Sequence, residues 1–554
     1  MPICTRRSPA PRLRPSWIIS TNCSRPAPRT AAATRGCTSP RSRTDAVTRR
    51  FACIRLPLAP LFTPLFVVAL AVALSVSAPV CGADDPVGAA MKLYEKRRYE
   101  QAARLLEDAL ARPDAERRAQ AQLVLGMIYL RNADLHEALA RTAATAELDY
   151  LDKLLKTRTE DRSRYARLYL AEALLARGDA AAAARHFEQV RADPGIESRY
   201  QAIASVGLGS VLWAQRDAER ARGLWARAGG AAEITLARAA AQGRAQLVDA
   251  KSLQRLADDA SRARELSPRT RRYLIEIYTA TGAPDKALAV ARAADLGMAS
   301  YVERFKVLKG TPKSINLYDL ALLTDLTRLY RELARRQLEQ AAADARMKPS
   351  AEYYLAEVLS GLGASDEALT YVQAFLARPQ TPAQYRERAL ARQALIAHRQ
   401  GRRAEAESTW SAMAEQGSDP EVLADIVLGC ADAQTQCGKV LARVGQVTEA
   451  GDGRRYQRLN FALGSYYLRK KDYARAISYM EAGRDKSNKN KIEANDPEML
   501  AGLAEAYYRT KKFSEGLEIF FEMSKEFPVV RQIQEAMQGV YSMEQRSAGD
   551  VKIL

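Results

Sequence analysis

A pair of small residues, twelve positions apart, recurs along most of this 554-residue chain. The clearest examples are Gly464 with Ala476 and Gly126 with Ala138, each with a tyrosine three positions after the glycine. The same step recurs in Ala90–Ala102, Ala171–Ala183, Gly209–Ala221, Ile275–Ala287, Ala356–Ala368, Ala394–Ala406 and Ala504–Gly516. A spacing this regular predicts a repeated structural unit along the chain.

Each of these pairs predicts two helices joined by a tight break. Apolar residues recur at intervals of three and four on both sides of the break, so each helix has one stripe to bury. Lys471-Asp472 and Gly178-Asp179 mark typical breaks. If the small residues face each other, the two backbones approach closely, and a larger side chain would overpack the contact at about 1–3 kcal/mol. The pattern therefore predicts antiparallel helix pairs, with the aromatic side chains filling the gap to the next pair.

The units resemble the tetratricopeptide repeat (TPR) family. The residues that carry the resemblance are Leu463-Gly464-Tyr467-Ala476 and Leu125-Gly126-Tyr129-Ala138. Prolines also stand at the unit ends: Pro113, Pro194, Pro268 and Pro379. Nine units share one register, and the wide gaps between them each fit two degenerate units of about 34 residues. The resemblance implies an all-α, TPR-like α-solenoid, a right-handed superhelix of about twelve antiparallel helix pairs over residues 86–528.

The repeats predict two arrays, at residues 84–294 and 351–528, with a divergent helical segment at 295–350 between them. In that segment the stretch from Ser314 to Met347 contains neither glycine nor proline. It is interpreted as one long helix or as a divergent helix pair that separates two lobes. Residues 529–554 are interpreted as a helix that caps the last apolar face, followed by a tail.

The first 83 residues predict an export signal rather than part of the array. They contain twelve arginines, no lysine and a single acid, Asp45. Residues 1–46 lack periodicity and are interpreted as a disordered or untranslated leader, with an organelle transit peptide as the alternative. Residues 47–83 combine a basic start, the apolar run Leu65–Val76 and small residues before Asp84, which is the pattern of a signal peptide. An uncleaved membrane anchor is the alternative.

Five of the seven cysteines lie in this leader, so an exported mature chain would keep only Cys430 and Cys437. Two cysteines close in sequence in an exported protein predict a disulfide. The bridge requires the helix to end soon after Cys430, because seven residues of continuous helix span about 10 Å. Two free buried thiols are the alternative.

The sequence contains no motif for catalysis or for a phosphate-binding loop. Its three histidines, His136, His186 and His398, stand in separate units, so we expect neither a metal site nor a cofactor. The net charge of the chain beyond the leader is only weakly positive, which argues against nucleic acid as a partner. We therefore expect a protein that is not an enzyme.

The resemblance implies that the first helix of each pair lines a concave groove that binds partners. The residues that this register places in the groove are Arg131, Glu172, Trp213, Arg269, Arg272, Glu276, Glu357, Arg388, His398, Arg399, Arg458, Arg469, Glu505, Tyr508 and Arg509. Repeated arginine and glutamate side chains would hold an extended peptide or a helix through charge-assisted hydrogen bonds. The alternative for individual residues is an ordinary pair on a helix surface, such as Glu505 with Arg509.

The predicted function is a non-enzymatic scaffold for protein partners in the bacterial cell envelope, located in the periplasm or anchored to the inner membrane. Candidate systems are secretion, exopolysaccharide export and outer-membrane assembly. One alternative is a periplasmic module that binds an acidic polysaccharide or glycan. Another is an organelle-targeted TPR factor.

Overall fold

The computed structural model describes residues 85–542, except 113–116, 157–159, 265, 294–318, 417–418, 434, 436, 450–455, 486–494, 526, 528–529, 531–532, 535–536 and 539. Over the residues it describes, the chain forms helices and short turns and contains no strand. The predicted leader and signal segment lie outside the described residues. Within the described part, no helix is both long enough and apolar enough to cross a membrane.

The helices follow one another with short connections. The N-terminal helices are α1 (Pro86–Glu95), α2 (Tyr99–Leu110), α3 (Arg118–Lys156), α4 (Glu160–Arg177), α5 (Ala180–Ala192), α6 (Ser198–Ala214), α7 (Ala218–Arg227), α8 (Ala232–Arg244), α9 (Ala250–Ser261), α10 (Pro268–Ala280) and α11 (284–293). The C-terminal helices are α12 (Asp319–Ala341), α13 (Lys348–Leu362), α14 (Ser365–Leu376), α15 (Ala383–Arg399), α16 (Arg403–Glu415), α17 (Pro420–Ala433), α18 (Gly438–Glu449), α19 (Gln457–Arg469), α20 (Tyr473–Gly483), α21 (Pro497–Arg509) and α22 (Phe513–Met523). Beyond α22, the described residues between 530 and 542 are helical.

The predicted contact between small residues is confirmed in most pairs. Ala171 and Ala183, on α4 and α5, are both fully buried. A Cβ atom added to Gly464 of α19 would lie 3.3 Å from the carbonyl oxygen of Ala476 on α20, and one added to Gly516 would lie 3.2 Å from that of Ala504. The two backbones of a pair therefore approach so closely that only a small side chain fits between them.

Three tyrosines of the repeat join their helix to the helix pair before it. Each donates a hydrogen bond to an acid on the second helix of that preceding pair. These bonds are Tyr129 to Glu107, Tyr278 to Asp258 and Tyr507 to Glu481. The aromatic side chains thus fill the gap between units, as the sequence predicts.

The breaks within the pairs have a common geometry. The backbone enters the left-handed region there, at Gly178, Gly282, Gly363 and Gly401, and also at Arg97, Arg216, Gln246, Lys471 and Lys511. This conformation ends a helix by satisfying its last carbonyls. In three breaks the next residue is an aspartate that caps the second helix: Asp179, Asp217 and Asp472 accept hydrogen bonds from backbone amides of their helices. The Gly-Asp and Lys-Asp pairs of the sequence are therefore a stop signal followed by a start signal.

The break predicted between Gly126 and Ala138 is absent. Both residues lie in α3, a continuous helix of 39 residues. The stretch between them contains neither glycine nor proline, and its Asp134 stays within the helix instead of capping a new one. Leu123, Leu135 and Leu139 are buried, and apolar positions are spread around α3 rather than confined to one stripe. A helix of this kind belongs in a core.

The partner of Gly126 is α12 rather than the second half of a pair. A Cβ atom on Gly126 would lie 2.7 Å from Cγ of Leu338, and Leu338 is fully buried. The described part of the predicted 295–350 segment thus contains one long helix, α12, which packs along α3. Helix α12 also contacts α10 and α13, so it joins the pairs that precede it to those that follow it.

The first pairs contact the last pair as well. Helix α3 packs against α21, and the ring of Tyr99 on α2 lies 6.5 Å from that of Phe527, beyond α22. In an open solenoid each repeat contacts only its neighbours. In this chain the last pair also meets α2 and α3, so the C-terminal repeats wrap around α3.

Candidate functional site

The first helices of the C-terminal pairs form the face on which the sequence places the groove. Arg388 of α15 and Arg458 of α19 are both brought to Asp425 of α17, with a distance of 2.7 Å from Arg388 Nε to Asp425 Oδ2. Arg458 also donates to Glu421, at 2.8 Å. The side chains of the two arginines are only 5% and 1% exposed, so they act as cross-links between helices.

A second set of ion pairs continues along the same face. Glu357 of α13 pairs with Arg392 of α15 at 2.9 Å. Arg399 and Arg469 converge on one carboxylate, that of Asp432 on α17, at 3.5 and 3.0 Å. The structure therefore brings together several predicted groove residues, and each of these is already paired with another group of the same chain.

The first helix of the last pair, α21, places its predicted groove residues against α3. Thr145 of α3 donates to Glu505 at 3.1 Å and accepts from Arg509 at 2.8 Å. The hydroxyl of Tyr508 donates to Asp149 at 3.2 Å. Helix α3 thus occupies the concave side of this part of the array.

Arg131, the predicted groove residue on α3 itself, is buried at the same junction. Its guanidinium donates to the hydroxyl of Tyr94 at 3.3 Å and lies 3.8 Å from Asp134. Burial holds the pKa of Asp134, and that of Glu498 on α21, well above their ordinary values. Arg131 is therefore part of the closed core of the molecule.

In the N-terminal pairs the concave side is crossed by Arg269 of α10. This arginine is 1% exposed and pairs with Glu172 of α4 at 3.0 Å, and it lies 3.7 Å from Glu233 of α8. It also lies 5.6 Å from the ring centre of Tyr169. Helices separated by several repeats are thus tied together by one side chain.

The other two predicted groove residues of α10, Glu276 and Arg272, also contact groups of the same chain. Glu276 pairs with Arg244 of α8, and Arg272 lies over the ring of its neighbour Tyr273 at 4.6 Å. Across from them, burial raises the pKa of Asp325 on α12 to about 7. These groups form a charged cluster between α8, α10 and α12.

Trp213 and His398 lie beside tryptophans of the second helices. The ring of Trp213 is 5.8 Å from that of Trp225. The guanidinium of Arg222 lies 5.6 Å from the centre of the Trp213 ring. His398 is 4% exposed and stacks on Trp410 at 6.3 Å. Of these two predicted groove residues, only Trp213 remains partly exposed.

Buried carboxyl groups dominate the electrostatics of the junction between α3 and the C-terminal repeats. Burial raises the pKa of Asp432 to about 6, although Arg469 and Arg399 oppose the shift. Burial also raises the pKa of Glu505. These acids line a narrow polar cleft that α3, α17, α19 and α21 enclose, together with Arg141 and Ser465.

Some residues of this network escaped prediction. Asp425 and Asp432 stand on α17, which belongs to a unit that the spacing of small residues did not reveal. The available signal is Leu428-Gly429, which repeats the Leu463-Gly464 pair of a recognised unit. A Cβ atom on Gly429 would lie 2.8 Å from the ring of Trp410. Thr145 carries no sequence signal, because its partners lie about 360 residues away.

The histidines and cysteines take structural positions. His136 is bonded to the backbone oxygen of Asn132 at 2.6 Å, and burial lowers its pKa to about 4. Among the described residues, no group of three or more metal-binding side chains comes together. Cys430 and Cys437 form a disulfide with a Cα separation of 6.0 Å, and α17 ends at Ala433, between them.

Comparison with models of known protein families finds one repeat family in this chain. The model of the tetratricopeptide repeat matches residues 87–149 and 461–528, at the two ends of the array. No curated protein matches the sequence.

Several solved structures are similar to parts of the chain, each at a low TM-score. The APC/C hetero-tetramer Cut9-Hcn1 is 14% identical and covers 86% of this chain and 99% of its own, with a TM-score of 0.26. Tom70 from yeast is 13% identical, with coverage of 84% and 95% and a TM-score of 0.29. The pentatricopeptide repeat protein PPR10, in complex with an 18-nucleotide psaJ RNA element, is 14% identical, with coverage of 87% and 82% and a TM-score of 0.26.

The family assignment depends on the repeat itself. The paired helices, the buried small residues between them and the two matched segments all agree. Arrays of this repeat are scaffolds for protein–protein interaction and are generally not catalytic. This chain is a tetratricopeptide repeat protein in the two segments that the family model matches, residues 87–149 and 461–528.

Proposed function

We propose that this protein is an exported scaffold that holds protein partners of a bacterial envelope complex. Secretion, exopolysaccharide export and outer-membrane assembly are the systems we consider. The proposal combines the protein-binding nature of the repeat with the signal pattern of residues 47–83. It places the repeats in the periplasm, either released by cleavage or held at the inner membrane by the uncleaved segment.

The disulfide carries the argument for export. Cys430 and Cys437 are the two cysteines after the leader, and they are paired with each other. Disulfides persist in the periplasm and other oxidising compartments and are rare in the cytosol. A bonded pair is what an exported chain with two remaining cysteines is expected to contain.

A protein partner receives more support than an acidic polysaccharide. The polysaccharide alternative depends on open arginine side chains and on aromatic platforms at Trp213 and Tyr508. Tyr508 is 4% exposed and bonded to Asp149, and buried ion pairs occupy Arg388 and Arg458. Among these groups only Trp213 is partly accessible to a sugar ring.

The test is expression of the full chain in a bacterial host, followed by fractionation and mass spectrometry of the N-terminus. The thiols of Cys430 and Cys437 are labelled with a maleimide mass tag before and after reduction. We expect the protein in the envelope fraction, no peptide from residues 1–46, and labelling only after reduction. The variant Cys430→Ser controls the assay, because Cys437 then has lost its disulfide partner and should react without reduction in denatured protein.

One outcome of this experiment would contradict export. A cytoplasmic protein that contains peptides from residues 1–46 and two reactive thiols would contradict export. It would direct attention to the organelle-targeted alternative.

A further inference from the structure

The two faces of α3 differ in chemistry. Toward α12 the contact is close and contains apolar side chains, together with the ion pair of Arg331 and Glu137 and a hydrogen bond from Gln122 to Gln340. Leu338 fits over Gly126, and the rings of Tyr129 and Tyr330 lie 6.1 Å apart. Burial of this kind supplies most of the stability of a helix interface, at roughly 25 cal/mol per Å² of apolar area. The pair formed by α3 and α12 is therefore a permanent part of the core.

Toward α21 the contact includes hydroxyl groups and charges. The hydroxyl of Thr142 shares its proton between the backbone oxygen of Ala501 at 3.4 Å and that of Ala138 in its own helix at 3.3 Å. The hydrogen bonds of Thr145 with Glu505 and Arg509 lie beside it. Each of the bonds to α21 joins residues about 360 positions apart in the chain. A polar interface of this kind resembles the contacts between parts of a chain that move relative to each other.

The centre of this polar contact is incompletely filled. A cleft separates Ala138, Arg141 and Thr142 of α3 from Asp432 of α17 and Arg469 of α19. Protein cores are normally packed without such gaps, because a void forfeits the contacts of the atoms that line it. The α3 contact with the C-terminal repeats therefore contains a gap at its centre, although buried apolar residues such as Ala138 and Phe461 line it.

The residues of α3 that meet the C-terminal repeats form one stripe. Ala138, Thr142, Thr145 and Asp149 follow the spacing of a single helix face, with Arg141 at its edge. An amphipathic helix laid in a groove presents its anchor residues at this spacing. Helix α3 therefore occupies the concave face of the C-terminal repeats in the way that a bound helical ligand would.

We propose that this contact is a reversible closure, and that its opening exposes α17, α19 and α21 to a partner helix with the same chemistry as α3. That partner presents a stripe of alanine and threonine flanked by an arginine. Glu505 and Arg509 accept and donate the hydrogen bonds that Thr145 now makes. The proposal rests on the proposed function as a protein-binding scaffold and adds the site and the class of partner.

Opening must also separate the first and last repeats at a second place. Tyr99 on α2 faces Phe527, and Arg97, at the end of α1, is attracted by Asp496 at the start of α21. Both groups link the first helices to the end of the array. Helices α1, α2 and α3 would therefore leave the C-terminal repeats together, while α3 and α12 stay joined.

A synthetic peptide of residues 134–152, with a fluorescein label, serves as the probe. The purified protein is compared with the variant Thr145→Glu, which places a second carboxylate against Glu505 and weakens the closure. A groove that is open only part of the time binds the peptide with an apparent affinity reduced in proportion to its open fraction. The variant increases that fraction, so we expect it to bind the peptide about ten-fold tighter or more. Lys156→Glu, at an exposed position of the same helix, is the matched control and should bind like the wild type.

Two further arms assign the site. A peptide that carries Thr142→Glu and Thr145→Glu should not bind, and Arg509→Ala added to the Thr145→Glu protein should weaken binding. If the folded variant and the wild type bind the peptide equally, or if Arg509→Ala leaves binding unchanged, the proposal is overturned.

Native-state hydrogen exchange of the wild type decides the case in which Thr145→Glu fails to fold. We expect the amides of α21 that face α3 to exchange through an opening that leaves the contact of α3 with α12 protected. If both regions exchange only on global unfolding, the closure is an inseparable part of the core. Neither experiment depends on the location of the protein, so failure of export leaves this proposal intact, and failure here leaves export intact.

Discussion

Arg509 of α21 donates a hydrogen bond of 2.8 Å to the hydroxyl of Thr145 on α3, across 364 residues of sequence. Thr145 in turn donates to Glu505, so one hydroxyl group links two charged side chains of the last described helix pair to an early helix. A threonine in the interior of a helix usually bonds to its own backbone or to water. Thr145 makes that backbone contact, with Arg141 at 3.4 Å, and also joins the two ends of the array.

Removal of this hydroxyl should destabilise the protein. We expect Thr145→Val to lower the free energy of unfolding by about 1 kcal/mol, because the half-buried Glu505 and the exposed Arg509 lose a hydrogen-bond partner. Urea unfolding followed by circular dichroism measures the loss. Thr409→Val, on the exposed surface of α16, is the control and should change stability by less than about 0.5 kcal/mol.

The contact between Gly126 and Leu338 predicts the effect of one added methyl group. We expect Gly126→Ala to destabilise the protein by about 1–3 kcal/mol, because the new Cβ overlaps a buried leucine. Gly223→Ala is the matched control, since an added Cβ there meets only Arg227 at 3.7 Å. It should stabilise α7 by up to about 1 kcal/mol through helix propensity. Equal effects of the two substitutions would contradict the packing of α3 on α12.

The left-handed breaks predict a second glycine series. Gly178 has a φ of +88° and open space around it, so Gly178→Ala should cost about 1 kcal/mol through backbone strain alone. Gly229 also has open space but no positive φ. Gly229→Ala should therefore be neutral or stabilising by up to about 1 kcal/mol. Thermal unfolding of the two variants distinguishes strain from packing, because neither new methyl group meets a neighbour.

The raised pKa of Asp432 predicts how the stability of the protein depends on pH. Its pKa is about 6 in the folded protein against an ordinary value of 3.8, so the folded state binds more protons than the unfolded state between these values. Its contribution therefore favours the folded state at acidic pH and is lost as the pH rises from about 4 to about 6. We expect the wild type to lose stability relative to Asp432→Asn across this window. Urea midpoints for both proteins at several pH values between 4 and 7 test this; parallel curves would contradict the assignment.

The helix pairs could be predicted because their cause is local. Gly464 and Ala476 stand twelve positions apart, and the Lys471-Asp472 break between them has its own signal, so a short window of sequence contains the whole unit. Gly126 and Ala138 have the same spacing, but their intervening residues lack a stop signal, and the helix continues through them. The spacing of small residues alone therefore does not predict a pair unless a break accompanies it.

The candidate site could be predicted only in part, because its partners come from distant units. The register assigned first-helix residues such as Arg388, Arg399 and Arg458 to the concave side, and the structure places these three in ion pairs between helices. It did not reveal that Asp425 and Asp432 would neutralise them, since these acids stand in a unit without the expected small-residue pair. Nor does any local pattern indicate that α3 would occupy that side.

The most direct test of the account is a cysteine cross-link between the two ends of the array. Asp149→Cys and Tyr508→Cys are introduced together in a chain whose other cysteines are replaced by serine, because the two native side chains are in hydrogen-bond contact. A contact made through a tyrosine hydroxyl leaves the two backbones too far apart for a disulfide, so a short bismaleimide is the cross-linker. Peptide mass mapping then reports whether the two residues are joined. The account predicts an intramolecular cross-link between α3 and α21. A folded monomer that forms no such link, while the exposed control pair Glu415→Cys and Lys439→Cys does, would contradict it.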